Sequence, residues 1–184
     1  MPLLGDTHDT RRASGVTPVL PTDAASDAFS LLEADVLRAR SRNEALALVL
    51  VSADQLDEIE ETLGAWMREA AVAAVSFRIR QVTRSGERIF RLPGGGVAVA
   101  IRSCPPKFLV SVARRLLNAV LSAPLVGPEG AIPLSASAGI ALLRSGGERA
   151  PQLIERALKA LFEAQEAGTC QLRAAPETAA ELPS

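Results

Sequence analysis

A glycine-rich turn between two short apolar stretches restricts the fold of this chain more than any other feature. Residues Arg91–Ile101, with Pro93-Gly94-Gly95-Gly96 near their centre, predict a hairpin whose strands run over about 87–92 and 96–102. Glycine adopts the positive φ angles that a tight hairpin needs, and such a turn can present backbone N–H groups to a phosphate. The turn has no carboxylate, which a magnesium–nucleotide site needs. The segment therefore predicts antiparallel strands without a metal ion.

Apolar patterns along the rest of the chain predict helices alternating with strands. The continuous apolar run Ala45–Val51 is typical of a strand that is buried on both faces. A helix over about 65–80 is expected to use an Ala/Val face that includes Phe77. Further helices are expected to begin near Asp23, Asp54, Pro105 and Ala150, with strands over 132–143 and 171–173 and a turn over 127–130. This order predicts an α+β fold in which helices pack on one face of a sheet that contains antiparallel strands.

The chain of 184 residues is long enough for one domain with a substantial core. Residues 1–22 lack apolar periodicity and are expected to form a flexible N-terminal arm. Residues 174–184 are expected to form a disordered C-terminal tail. The domain itself is therefore expected to span residues 23–173.

Composition and charge exclude several classes of function. The net charge of −1 gives no general attraction to nucleic acid or acidic membranes, so nucleic-acid binding is not expected. No apolar run reaches the roughly 18 residues that span a bilayer, so membrane insertion is not expected either. The only histidine, His8, lies in the predicted arm, which argues against histidine acid–base catalysis. The two cysteines, Cys104 and Cys170, lack metal-ligand spacing and predict a reduced, cytoplasmic setting.

Four segments, in order, resemble the GGDEF domain of diguanylate cyclases over roughly residues 23–173. The stretch 47–64 is similar to the family's first strand and the helix after it. Residues 84–97 repeat the spacing of its inhibitory Arg-x-x-Asp motif, a following arginine and its signature turn, whose positions carry Pro93-Gly94-Gly95-Gly96-Val97. The segment 134–141 resembles its Ser-x-Gly-x-Ala strand, and 157–168 its closing helix. The resemblance implies a central, mostly antiparallel sheet of about five strands flanked by helices.

The residues at the family's functional positions imply a domain without catalytic activity. Where members hold metal ions with carboxylates, this chain has Ser52, Gly95 and Gly96. The positions that recognise guanine carry Glu60 and Glu69. In the closing helix, Gln165 stands at the position of the family's phosphate-contacting lysine, and Leu158 at that of its aspartate. We therefore expect no metal, no cofactor and no conversion of GTP.

Nucleotide binding stays open at the Arg-x-x-Glu segment before the turn. The resemblance implies that Arg84 and Glu87, with Arg88 and Arg91, could bind cyclic di-GMP, because a guanidinium matches bidentate acceptors. The alternative for Arg84 and Glu87 is an ordinary surface charge pair. Asp54 is expected to cap a helix rather than to bind a metal.

Three functions follow from these expectations. The preferred one is a catalytically inactive GGDEF-like module that acts through a protein partner or as a homodimer. The second is a cyclic di-GMP receptor that uses Arg84 and Glu87. The third is a domain that binds GTP without turnover, as an allosteric input.

The apolar stripe of the helix beginning at Asp23 is expected to pack on the domain's own sheet. The alternative is that this stripe forms the seam of a dimer.

Overall fold

The computed structural model describes residues 23–182, which form six α-helices, one short 3-10 helix (Pro106–Phe108) and seven strands. The predicted arm, residues 1–22, lies outside the described residues. The helices are α1 (Asp23–Arg42), α2 (Leu56–Leu63), α3 (Ala65–Val82), α4 (Leu109–Leu121), α5 (Ala150–Glu166) and α6 (Pro176–Ala179). The strands are β1 (Leu46–Ala53), β2 (Arg88–Arg91), β3 (Val97–Arg102), β4 (Leu125–Gly127), β5 (Gly130–Ile132), β6 (Ala136–Leu142) and β7 (Leu172–Ala174). Within residues 23–182, no helix has the length and apolar character to cross a membrane.

Five of the strands form one sheet in the order β2-β3-β1-β6-β7. The central strand, β1, pairs antiparallel with both β3 and β6, so that Val49 lies opposite Val99 on one side and Ile140 on the other. β2 and β3 form the predicted hairpin, whereas β7 runs parallel to β6. The predicted α+β fold with a mostly antiparallel sheet of five strands is confirmed.

The central strand explains why helices cover both faces of the sheet. Every residue of β1 is buried. Because neighbouring side chains of a strand point to opposite faces, Val49 and Val51 join a core with α2, α3 and α4. Leu48 and Leu50 join a second core with α1 and α5. The prediction of helices on one face is wrong, because a strand that is apolar on both sides needs cover on both.

The C-terminal segment after α5 packs on the domain, so the prediction of a disordered tail from Ala174 is wrong for the described residues. The Ala175 N–H donates to the Ile140 carbonyl (2.8 Å), and the Leu142 N–H donates to the Thr178 hydroxyl (2.8 Å). Thr178 is 1% exposed. The hydrogen bond between Leu142 and Thr178 joins residues 36 positions apart. Local periodicity in the sequence cannot predict a contact over that separation.

The predicted strand over 132–143 is divided in two. Its first part is the end of β5, which pairs with β4 in a small separate hairpin around the predicted turn. Its second part is β6, which begins at Ala136. A side chain at Gly139 of β6 would overlap the backbone of Ala157 and Leu161 in α5. The glycine therefore lets α5 lie directly against the sheet.

Candidate functional site

The glycine turn joins β2 to β3 at the predicted positions. The Leu92 N–H donates to the Gly96 carbonyl (2.8 Å), and the Gly95 N–H donates to the Leu92 carbonyl (3.2 Å). Gly94 and Gly95 have φ angles of +89° and +97°, a conformation that favours glycine. The expectation that glycines supply positive φ angles in this turn is confirmed.

The two glycines at the acidic positions of the turn differ in the room around them. A Cβ atom added to Gly95 would lie 2.9 Å from both Leu56 Cδ1 and Val72 Cγ2, whereas one added to Gly96 would meet no heavy atom within 4 Å. Leu56 and Val72 belong to the core with α2, α3 and α4. The core thus fills the space in which a side chain at position 95 would begin.

Glu60 and Glu69, which stand at the positions where the family recognises guanine, each pair with an arginine. Arg68 Nη2 donates to the Gly94 carbonyl (2.7 Å), and Arg68 Nε lies 2.9 Å from Oε2 of Glu60. Arg91 Nη2 donates to Oε2 of Glu69 (2.9 Å). Arg68 therefore ties α2 and α3 to the signature turn, and the Glu60 and Glu69 carboxylates each have an arginine at Oε2.

The end of β1 carries Ser52 and Asp54 near the turn. Ser52 is 7% exposed, and its hydroxyl donates to the Ala53 carbonyl (3.2 Å). Asp54 Oδ2 accepts the Cys170 N–H (3.1 Å). The expectation that Asp54 caps α2 is wrong, because Gln55 occupies the N-cap position and makes no side-chain cap hydrogen bond. Among residues 23–182, no three His, Cys, Asp or Glu side chains lie together as a metal site.

Arg84 and Glu87 lie together in the loop between α3 and β2. The Arg84 N–H donates to Oε2 of Glu87 (2.8 Å), and the Glu87 N–H donates back to the Arg84 carbonyl (3.1 Å). Arg115 Nη2, from α4, donates to both oxygens of the Glu87 carboxylate (2.8 and 2.9 Å). The Glu87 side chain is 9% exposed. Glu87 is thus paired with Arg115, and the Arg84 guanidinium is left at the surface.

An open cleft of about 570 Å³ lies beside this loop. Arginines from three separate elements line it: Arg38 and Arg42 of α1, Arg84, and Arg102 of β3. Arg102 Nε and Nη2 donate to the Gly86 carbonyl (3.0 and 2.8 Å), which fixes the loop against the sheet. Within the described chain, Arg38 and Arg84 have no ion-pair partner. Their charges are therefore available to an anion in the cleft.

The other predicted site arginines lie outside this cleft. Arg88 Nε pairs with Oδ2 of Asp35 (3.2 Å), a carboxylate of α1 that is 1% exposed. Arg91 pairs with Glu69, beside the signature turn. The structure thus brings Arg84 and Glu87 together and separates them from Arg88 and Arg91.

Cys104 also lines the cleft. Burial raises the pKa of its thiol above the ordinary value, and the nearby Glu87 carboxylate raises it further. A raised pKa keeps the thiol protonated and unreactive at neutral pH. Cys104 therefore contributes a neutral wall to the cleft rather than a nucleophile.

Three residues that shape the signature turn and the cleft were not predicted from the sequence: Arg68, Arg102 and Arg115. Arg68 and Glu60 stand on separate helices, divided at Gly64, so helical i, i+4 spacing does not pair them. Arg115 meets Glu87 across 28 residues of sequence. Only the distribution of arginines in the sequence could have indicated such partners, and it names no particular pair.

Several solved structures are similar to this chain. The GGDEF domain of YfiN (TpbB) from Pseudomonas aeruginosa is 24% identical, with a TM-score of 0.72 over 82% of this chain and 94% of that one. DgcB from Caulobacter crescentus, in complex with c-di-GMP, is 19% identical, with a TM-score of 0.74 over 82% of this chain and 90% of that one. SiaD from Pseudomonas aeruginosa, in complex with its activator SiaC, is 18% identical, with a TM-score of 0.76 over 82% of this chain and 58% of that one.

A search of curated proteins finds no match. Comparison with family models, however, agrees with the similarity to GGDEF structures. The family described as "Diguanylate cyclase, GGDEF domain" matches residues 27–171. That range includes the whole five-stranded sheet except β7, as well as the signature turn and the Arg84–Glu87 loop. This chain therefore belongs to the GGDEF domain family.

Proposed function

We propose that this chain is a GGDEF domain without diguanylate cyclase activity, which works in cyclic di-GMP signalling by binding a protein partner or a second copy of itself. The signature turn carries the proposal. Both of its acidic positions are glycine, and Leu56 and Val72 pack where the side chain of residue 95 would begin. Magnesium is held by hard anionic oxygens, and Ser52 at the remaining metal position supplies no carboxylate.

The arginine pairs beside the turn support the same proposal. A guanine base would compete with Arg68 for the Glu60 carboxylate and with Arg91 for the Glu69 carboxylate, since each carboxylate already has an arginine at Oε2. For that reason the proposal does not extend to GTP binding without turnover.

A protein partner has support from the relatives. SiaD was solved in complex with a protein, its activator SiaC. We extend the proposal to a cytoplasmic setting, because Cys104 and Cys170 are both free thiols.

Incubation of the purified chain with GTP and magnesium tests the absence of activity. We expect no cyclic di-GMP above the level given by a no-protein blank, while an active diguanylate cyclase in the same buffer gives product. The matched variant Ser52→Asp/Gly96→Glu restores two carboxylates, and a Cβ atom at position 96 would meet no heavy atom within 4 Å. Product from the unmodified chain would overturn the proposal.

A second candidate function is that of a cyclic di-GMP receptor. The observation that favours it is the cleft of about 570 Å³ in which Arg38 and Arg84 lack acidic partners within the described chain. Two phosphates of one ligand would find two guanidinium groups there, and guanidinium–phosphate pairs are strong. The relative DgcB was solved in complex with c-di-GMP.

Calorimetric titration with cyclic di-GMP tests the receptor function. We expect binding by the unmodified chain and a loss of about tenfold or more in affinity for Arg84→Ala, because a charge-assisted pair is worth about 1.5–3 kcal/mol. Arg173→Ala, which removes an exposed arginine of β7 outside the cleft, is the matched control and keeps full affinity. Equal affinities for all three proteins, or no heat from any, would reject the cleft as the receptor site.

A further inference from the structure

Helix α3 carries an apolar stripe on the face that points away from the core. The stripe consists of the exposed Trp66 and Phe77 and the half-buried Ala70 and Ala73, of which Ala70 also touches the edge of the core. The side chains of Trp66 and Phe77 are 61% and 63% exposed. The inner face of the same helix buries a separate set of residues, namely Met67, Ala71, Val72, Val75 and Ile79. α3 is therefore apolar on two opposite faces, and the described chain covers one of them.

The spacing of the outer stripe fits a second helix. Its members are separated by four, three and four residues, the spacing at which side chains of one helix fit between those of another. The order of sizes is large, small, small, large. A stripe with this order is the same in both directions, so it matches a copy of itself that runs antiparallel. Trp66 then faces Phe77 of the second copy, and Ala70 faces Ala73 of the second copy.

The sizes are complementary in that arrangement. Alanines at the centre let the two helix backbones approach closely, and the aromatic rings fill the space at both ends. Each copy uses the same surface, so the contact closes into a two-fold dimer and does not continue into a filament.

Charges at the two ends of α3 agree with the antiparallel direction. The helix is preceded by exposed acids of α2, namely Asp57, Glu58 and Glu61. Its last turn carries the exposed Arg80, which has no ion-pair partner in the described chain, and Arg84 follows. An antiparallel copy brings the basic end of each α3 towards the acidic end of the other. The opposed helix dipoles favour the same direction.

We infer that the outer stripe of α3 is a homodimer interface, occupied by the same stripe of a second copy of this chain. The inference deepens the proposed function and rests on it for its biological role, because it names the self-association that replaces turnover.

The size of the stripe predicts a weak, reversible dimer. A buried Trp or Phe side chain covers about 150–250 Å², so four aromatic side chains supply at most about 1,000 Å². Stable specific interfaces bury about 1,200 Å² or more. We therefore expect a dissociation constant in the micromolar range, about 1–100 μM.

Sedimentation of the full chain at increasing concentration is the first test. We expect the mass to rise from 19.3 kDa towards twice that value. The variants Trp66→Glu and Phe77→Glu, changed at exposed positions, are expected to stay monomeric. Phe162→Glu is the matched control, because Phe162 is 59% exposed on α5 and outside the stripe; it is expected to dimerise normally. An unmodified chain that stays monomeric at about 1 mM, or dimers that survive both stripe changes, would overturn the inference.

Fluorescence gives a second test that reports on the arrangement itself. Trp66 is the only tryptophan of the chain, and Phe77 of the same helix lies about 16 Å further along the axis. Phe77 of the same helix is therefore too far away to cover the Trp66 indole, whereas Phe77 of an antiparallel second copy would lie on it. We expect Trp66 emission to shift to longer wavelength on dilution, and to have the long-wavelength position at every concentration in Phe77→Glu. Emission that is independent of concentration in the unmodified chain would overturn the arrangement.

These tests separate the inference from the proposed function. A chain that is monomeric and makes no cyclic di-GMP refutes the dimer and leaves a different protein as the partner. A chain that dimerises through α3 and makes cyclic di-GMP refutes the inactive domain and leaves the dimer in place.

Discussion

At the scale of single residues, two neighbouring glycines of the signature turn are not equivalent. Gly95 has a φ angle of +97° and two core methyl groups at 2.9 Å from the position of a Cβ atom. Gly96 has open space at the same point. A carboxylate could therefore be restored at position 96 by substitution alone, whereas position 95 would also need both Leu56 and Val72 to move or to be smaller.

The difference between these glycines can be measured as stability. We expect Gly95→Ala to lower the free energy of unfolding by about 1–3 kcal/mol, because it adds an overpacked methyl group at a positive φ angle. Gly96→Ala is the matched change and is expected to alter it by about 0.5 kcal/mol or less. Urea denaturation of both variants gives the values. Equal losses would show that Leu56 and Val72 do not confine position 95.

Arg84 and Glu87 show how far single residues could be predicted. Their spacing identified the loop, and the structure places them at the edge of a cleft. The partners that decide their availability come from distant segments: Arg115 from α4, Arg102 from β3 and Arg38 from α1. No local pattern joins these positions, because the sheet and helices bring them together only in the folded chain.

At the scale of elements, strands were predicted more completely than the faces of helices. The apolar run of β1 and the glycine turn indicated the centre and one edge of the sheet correctly. α3 was assigned an Ala/Val face that includes Phe77, and the structure shows Phe77 at the surface. Because α3 is apolar on opposite sides, its periodicity does not distinguish an inner face from an outer one. The stripe of α3 was missed for that physical reason.

The junction between α1 and α5 is sensitive to pH. Glu33 of α1 accepts the Ala150 N–H (2.9 Å) at the start of α5 and pairs with Arg149 (2.9 Å). The backbone hydrogen bond from Ala150, and then the Arg149 side chain, hold the pKa of the Glu33 carboxyl below its ordinary value of 4.5. A lowered pKa in the folded protein stabilises it at neutral pH, and this contribution is lost as the pH falls through that lowered pKa.

Glu33→Gln tests this junction. We expect the variant to be less stable than the unmodified chain at neutral pH by about 0.5 kcal/mol, the usual size of an exposed charge–helix interaction. The two proteins should become equally stable once the pH falls below the lowered pKa of Glu33, where the carboxyl is protonated in the folded and the unfolded chain. Thermal unfolding at several pH values gives the comparison. A difference that stays constant with pH would show that the Glu33 charge has no part in it.

At the scale of the whole molecule, one GGDEF fold carries three distinct surfaces. The signature turn is closed by its own core and by Arg68. The arginine cleft lies beside the Arg84–Glu87 loop, and the apolar stripe lies on the outer face of α3. Fold class and family could be predicted from ordered local segments. The packing of the C-terminal segment could not, because its contacts with β6 join distant residues.

The most direct test of an inactive domain is an assay for cyclic di-GMP with GTP and magnesium, made at protein concentrations below and above the dimer transition. We expect no product at either concentration, because neither one copy nor two supply carboxylates at positions 52, 95 and 96. Suppose that product appears at either concentration and is lost when Glu60 and Glu69 are changed to alanine. That result would contradict the proposal that the domain is inactive.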